Sequence, residues 1–167
     1  MKKWLCLVLL LSLLLCGCAK EEPIENPVPF YYRAEEVTYF SERGVIDYEK
    51  REAGIRGDDY TYLLNEYLLG PNDEDLDRTF PNGTVIRALT VEENRVKIVL
   101  SEAFAELTGV DLSIACACLT LTACQLTGTK SAEISVETLM LDGSPAVTMV
   151  YSQLVLEDLC REPVEPN

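Results

Sequence analysis

The sequence predicts an α+β fold, a two-layer sandwich in which two helices pack on one face of a mixed β-sheet, in the order β-α-β-β-α-β(-β). Two observations carry this prediction. Two long segments repeat apolar residues at the 3.6-residue period of a helix, and several shorter ones are rich in β-branched residues and end at turn-forming residues. Their alternation along a chain of 167 residues indicates one domain with its helices packed on a sheet.

The first half of the domain is predicted as a strand, a helix and a hairpin. Residues 37–40 are a short strand candidate. The helix spans residues 60–68, with Asp58 or Asp59 as its N-cap and Gly70-Pro71 after its end. Residues 84–92 and 95–100 are two β-branched runs separated by Glu93-Asn94, which predicts an antiparallel hairpin.

The second half is predicted as a helix and two strands. Residues 112–126 keep helical spacing on more than one face, which predicts a largely buried helix that ends at Gly128. Residues 133–141 follow as a strand. A turn over residues 142–144 leads to a last strand over residues 146–151.

The first 17 residues have the three parts of a secretion signal: Lys2 and Lys3, an apolar run over residues 4–16, and the small residue Gly17. The apolar run is shorter than the roughly 20 residues that a membrane-spanning helix needs. The sequence Leu15-Cys16-Gly17-Cys18 resembles the bacterial lipobox. We therefore predict cleavage after residue 17 and attachment of lipid to Cys18, and the alternative is an ordinary secretory signal.

The mature chain is predicted to begin with a linker and to end with a loose tail. Residues 18–35 contain the lipidated Cys18, three prolines and several glutamates, a composition that favours extended chain. Residues 36–160 form the folded domain, and residues 161–167 form a flexible tail. Loss of Lys2 and Lys3 moves the net charge from −14 to −16, which disfavours binding to nucleic acid, so we expect no nucleic-acid partner.

The chain contains no histidine, which removes the commonest zinc ligand and the usual activated nucleophiles. Cys116, Cys118 and Cys124 lie on different faces of one predicted helix. We expect them to be buried apolar thiols, with no metal and no cofactor bound. Whether any of them forms a disulfide with Cys160 stays open.

Carboxylates are numerous, and they leave two further hypotheses open, a glycoside hydrolase and a calcium-binding loop. The candidates for a pair that hydrolyses glycosides are Glu35, Glu36, Asp58, Asp59 and the run Asp73-Glu74-Asp75. Residues 73–77 lie in a predicted loop where calcium could bind weakly, although the spacing of an EF-hand is absent. A run of charges is usually a solvated surface.

Four short signatures resemble the GerMN domain, the sporulation and spore germination domain of many bacterial lipoproteins. They occur in order at residues 68–71 (LLGP), 80–84 (FPNGT), 99–104 (VLSEAF) and 119–122 (LTLT). The resemblance covers roughly residues 36–143. The apolar segment over residues 146–160 extends beyond it.

The resemblance implies a non-enzymatic binding or scaffold domain that acts in sporulation, in germination or on an envelope protein. With lipid at Cys18, the expected location is the outer face of the cytoplasmic membrane, and the expected partners are the membrane and envelope or sporulation proteins. The alternative is a cell-wall glycoside hydrolase with paired carboxylates. A solute- or peptide-binding lipoprotein is a third reading.

Overall fold

The computed structural model describes residues 27–35, 44–137 and 146–154. These residues contain three helices and seven strands, and the strands form two sheets. In chain order they are β1 (Pro27–Ala34), β2 (Ile46–Glu52), α1 (Tyr60–Leu68), β3 (Leu76–Asp77), β4 (Ile86–Val91), β5 (Arg95–Leu100), α2 (Gly109–Thr127), β6 (Ser131–Val136), β7 (Val147–Val150) and α3 (Tyr151–Leu154). Two 3-10 turns, Gly54–Arg56 and Glu102–Glu106, precede α1 and α2. The predicted α+β class is confirmed.

The first sheet is antiparallel, in the order β2-β1-β3. β1 pairs with β2 along most of its length, from Pro27 opposite Glu52 to Arg33 opposite Ile46. β3 reaches only the last two residues of β1. The strand-favouring aromatic residues Phe30 and Tyr32 alternate along β1 and are buried in the core.

The prediction of a linker over residues 18–35 is wrong for residues 27–34, which form β1. The N–H groups of Tyr31 and Arg33 point away from β2 and donate to side-chain oxygens of Thr122 (3.0 Å) and Thr79 (2.9 Å). By the two-residue alternation of a strand, the nitrogens of Pro27 and Pro29 lie on this same side, where β2 needs no donor. Proline is therefore compatible with this strand. The strand predicted over residues 37–40 lies outside the described residues.

The second sheet is mixed, in the order β4-β5-β6-β7. β4 and β5 form the predicted hairpin, with a register shift between Ile86 and Ala88. β5 and β6 are parallel, and β7 pairs antiparallel with β6 close to the predicted last strand. The prediction of one mixed sheet is wrong, because the strands divide between two sheets and only the second is mixed.

α2 is the core helix that contacts both sheets. All residues from 115 to 124 are buried, which confirms the predicted buried helix. Among the described residues it is also the one helix long and apolar enough to cross a bilayer, but 56% of that stretch is buried inside the domain. Burial against two sheets accounts for its apolar composition.

α1 packs on the first sheet through Tyr67. The Tyr67 hydroxyl donates to the carbonyl oxygen of Tyr31 (2.6 Å), and the Tyr32 hydroxyl donates to that of Tyr67 (2.8 Å). α1 ends at Leu68, followed by Gly70 at φ +117°, a backbone conformation that favours glycine. The signature at residues 68–71 thus ends the helix, as predicted.

Ser101 connects the signature at residues 99–104 with the signature at residues 80–84. Its hydroxyl donates to the carbonyl oxygen of Gly83 (2.9 Å) and accepts from the N–H of Val85 (3.1 Å). The turn before β4 is thereby fixed to the end of β5. Phe104 then packs on Phe80, with ring centroids 6.5 Å apart, so these signature residues have structural roles.

Candidate functional site

A groove opens where β2 ends and α1 ends. Its volume is about 480 Å³. The 3-10 turn Gly54–Arg56 forms one wall, and residues 69–72 form the other. Phe30 and Arg51 lie at its floor, because both line the groove and neither is exposed.

Arg51, at the floor, forms an ion pair with Glu49 behind it, and the two side chains are only 18% and 8% exposed. The Arg51 guanidinium donates to the Glu49 carboxylate (2.6 Å from Nε) and to the carbonyl oxygen of Gly70. Glu49 also accepts from the N–H groups of Asn72 (2.9 Å) and Asp73 (2.8 Å). These charges cancel, and their hydrogen bonds hold β2 against the chain that follows α1.

The two walls carry exposed aliphatic side chains. Ile55, at the tip of the 3-10 turn, is fully exposed, and Leu69 is 63% exposed. Tyr62 also lines the groove and is exposed. Exposed apolar side chains that line the same groove favour an interaction surface.

The unpaired charge of the groove is negative. Arg56 pairs with Asp59 (2.5 Å), and its guanidinium lies 3.9 Å from the centroid of the Tyr62 ring. Glu52 and Glu66 also line the groove and are exposed. Neither carboxylate forms an ion pair with any residue that the structure describes.

The candidate carboxylates of the hydrolase reading have other roles or lie elsewhere. Asp59 caps α1 by accepting from the N–H of Tyr62, and this bond together with Arg56 lowers the pKa of its carboxyl group. A general acid needs the opposite shift. Asp58, beside it, is exposed.

The remaining carboxylate candidates gather near one loop. The backbone N–H of Glu35 donates to the carbonyl oxygen of Asp75 (3.0 Å), so these two residues lie close together. Asp73 accepts from the N–H of Asp75 (2.9 Å), and Glu74 is exposed in the same turn. Glu36 lies outside the described residues. Within the described ranges, no three acidic, cysteine or histidine side chains are placed to hold a metal ion, and the possible calcium loop gains no support.

The three cysteines of α2 are buried and unpaired among the described residues, as predicted for apolar thiols. Burial raises the pKa of Cys116 to about 11 and that of Cys118 to about 12. Burial also raises the pKa of Cys124. These thiols stay protonated at neutral pH and are poor nucleophiles. Cys160 and Cys18, the predicted lipidation site, lie outside the described residues.

Sequence reasoning identified one wall of this groove and missed the rest. Gly70 and Pro71 belong to a recognised signature, whereas Glu49, Arg51 and Ile55 belong to none. The aromatic run at residues 30–32 was a signal for β1. No sequence signal pointed to the ion pair at the floor, because its partners meet only in the fold.

Comparisons with known proteins agree with the signatures. The sequence model of the family Germane, sporulation and spore germination, matches residues 29–141. The fold is similar to the tandem GerMN domains of the sporulation protein GerM from Bacillus subtilis, with a TM-score of 0.52, 21% identity, and coverage of 72% of this chain and 43% of that chain. The chain therefore spans less than half of that structure.

A second solved structure is a candidate lipoprotein from Clostridium perfringens, with a TM-score of 0.41 and 17% identity. The match covers 72% of this chain and 80% of that one. A search of the curated proteins found no significant match.

Proposed function

The chain belongs to the Germane family of sporulation and spore germination domains, and we propose that it is a non-enzymatic protein-binding domain held at the outer face of the cytoplasmic membrane by lipid on Cys18. One observation carries the binding role. The groove presents exposed aliphatic side chains, Ile55 and Leu69, above a floor whose polar groups are bonded within the fold. Such a surface favours contact with a partner over chemistry on a substrate.

The position of the groove suits a membrane-anchored domain. β1 begins at Pro27, and eight residues separate it from Cys18, so nine consecutive Cα–Cα steps let the chain reach at most about 32 Å from the lipid. Pro27 lies opposite Glu52, which lines the groove. The groove is thus at the end of the sheet where β1 begins, and in this proposal an envelope or membrane protein would meet it there.

The lipid has a mechanistic role in this proposal. Two or three acyl chains hold a protein stably at a bilayer, since each buried methylene adds about 0.8 kcal/mol of membrane affinity. Confinement to the membrane plane raises the effective concentration of the domain towards partners in the same membrane. Weak contacts at a small groove then suffice for assembly.

The test replaces Cys18→Ser in the native host, with Cys16→Ser as the matched control. Mass spectrometry of the membrane fraction should find a diacylglycerol on the mature N-terminus of wild type and of Cys16→Ser, and the Cys18→Ser chain should leave the membrane. Counts of heat-resistant spores and the rate of germination should fall only in Cys18→Ser. Normal sporulation and germination in a strain whose protein has left the membrane would refute the proposal.

A further inference from the structure

We infer that the groove binds a segment of a partner protein that carries a large aliphatic side chain beside a lysine or arginine. This inference rests on the proposed function, because it identifies the chemistry of the partner that the groove would take. It follows from the two features of the groove that the fold leaves unsatisfied.

The first feature is apolar. Ile55 and Leu69 face the groove from opposite walls and have most of their side-chain surface in water. A leucine-sized side chain placed between them removes apolar surface from water on three residues at once. The wall at residues 69–72 is braced by the Glu49–Arg51 pair and by the Arg78 side chain, which donates to the carbonyl oxygen of Leu69 (2.7 Å). The opposite wall is joined to the start of α1 by the Arg56–Asp59 pair.

The second feature is electrostatic. The two arginines that line the groove are neutralised, Arg51 by Glu49 and Arg56 by Asp59. Glu52 and Glu66 are left as exposed carboxylates, in a chain whose net charge is −14. A cation beside the bound aliphatic group would be attracted by the carboxylates of Glu52 and Glu66 and also by the net negative charge of the chain.

The same charges decide between a protein segment and the bilayer as the occupant. Ile55 lies at the end of the sheet near the anchor and could in principle enter lipid. An anionic lipid surface repels Glu52, Glu66 and the acidic domain as a whole. A basic protein segment satisfies the apolar and the charged parts of the groove together.

The experiment uses the lipidated full chain in phosphatidylcholine nanodiscs and three fluorescent peptides of equal length, which alternate Leu with Lys, Ser with Lys, or Leu with Glu. Fluorescence anisotropy measures their affinities, with empty nanodiscs as the blank. We expect the Leu-Lys peptide to bind about tenfold more tightly than the Ser-Lys peptide, and the Leu-Glu peptide to bind most weakly. Equal affinity for Leu-Lys and Ser-Lys would overturn the inference, because the aliphatic walls would then contribute nothing.

Matched variants separate the groove from the general acidity of the domain. Ile55→Ser should weaken the Leu-Lys peptide about tenfold, and Val110→Ser, at an exposed aliphatic residue outside the groove, should not. The pair Glu52→Lys with Glu66→Lys should reverse the preference towards Leu-Glu. The control pair Glu93→Lys with Glu106→Lys makes the same change in net charge outside the groove, and an equal effect of both pairs would overturn the inference.

The bilayer is tested with Ile55→Trp. Trp4 is the only tryptophan of the chain and is removed with the signal, so position 55 reports alone. A change in its emission on addition of the Leu-Lys peptide supports the inference, whereas quenching by brominated lipid without peptide would assign Ile55 to the membrane instead. Entry of the chain into the disc reports lipidation independently of peptide affinity, and a chain that fails to enter is titrated in solution, so the anchor and the groove fail separately.

Discussion

Two neighbouring threonines of α2 should respond in opposite directions to the same substitution. Thr120 and Thr122 are both completely buried and lie in one signature. The Thr122 hydroxyl accepts a hydrogen bond from the N–H of Tyr31 in β1 (3.0 Å), whereas the Thr120 hydroxyl has no partner among the described residues. Valine has nearly the shape of threonine and lacks the hydroxyl, so Thr→Val isolates its contribution.

The magnitudes follow from what each hydroxyl does. Thr122→Val leaves the N–H of Tyr31 without an acceptor at the edge of β1, which should lower the free energy of unfolding by about 1–2 kcal/mol. Thr120→Val removes a buried hydroxyl that has no hydrogen-bond partner among the described residues, and should raise the free energy of unfolding by about 1 kcal/mol. The two variants should therefore differ by roughly 2–3 kcal/mol.

Equilibrium unfolding in urea, followed by circular dichroism, measures both variants against the wild type. An unchanged m-value would show that the midpoint reports stability rather than a change in the unfolded state. Hydrogen exchange at the amide of Tyr31 gives a local check, since this amide should exchange faster only in Thr122→Val. Equal destabilisation by both variants would refute the assignment of the β1 edge to Thr122.

Three further predictions concern the groove, the end of α2 and alkaline pH. Arg51→Met should lower the free energy of unfolding by about 2–3 kcal/mol, because it leaves the buried carboxylate of Glu49 without its cation. Arg87→Met, which breaks an exposed ion pair, should lower it by less than about 1 kcal/mol. Equal losses in urea unfolding would contradict a stabilising role for the Glu49–Arg51 pair. Gly128 ends α2 at φ +70°, so Gly128→Ala should cost about 1 kcal/mol, and an unchanged melting temperature would contradict this. Because burial raises the pKa values of Cys116 and Cys118 in the folded protein, these thiols lose their protons first in the unfolded chain, from about pH 9 upward. The free energy of unfolding should therefore fall between pH 9 and pH 10 by roughly 1 kcal/mol per thiol. A urea midpoint that does not change with pH over that range would refute the burial of the thiols.

The elements that could be predicted from the sequence are those whose pattern is local. α1 carries an N-cap, a helical stripe and a glycine after its end, and the hairpin of β4 and β5 has two β-branched runs with a short turn between them. α2 is buried on all sides from residue 115 to residue 124, and its apolar spacing on more than one face indicated this. In each case neighbouring residues carry enough information to define the element.

The elements that could not be predicted depend on distant partners. β1 contains two prolines, whose nitrogens lie on the edge that faces away from β2. On this edge Thr122 and Thr79 accept hydrogen bonds from the N–H groups of the later residues, so the segment can be a strand despite its prolines. β2 is almost entirely polar and pairs along β1, and no local pattern indicated it. The division into two sheets likewise depends on which strands meet, and strand pairing is set by packing rather than by the strand's own sequence.

The same distinction explains what could be known of the groove. Its wall at Leu69 and Gly70 belongs to a signature that also ends α1, so fold and site share those residues. The opposite wall at Ile55 belongs to no signature and contributes little to the core, since its side chain is fully exposed. A residue with no structural duty can change without cost to folding. We therefore expect the signature wall to fix where the groove lies, and Ile55 with Glu52 to determine which partner it takes.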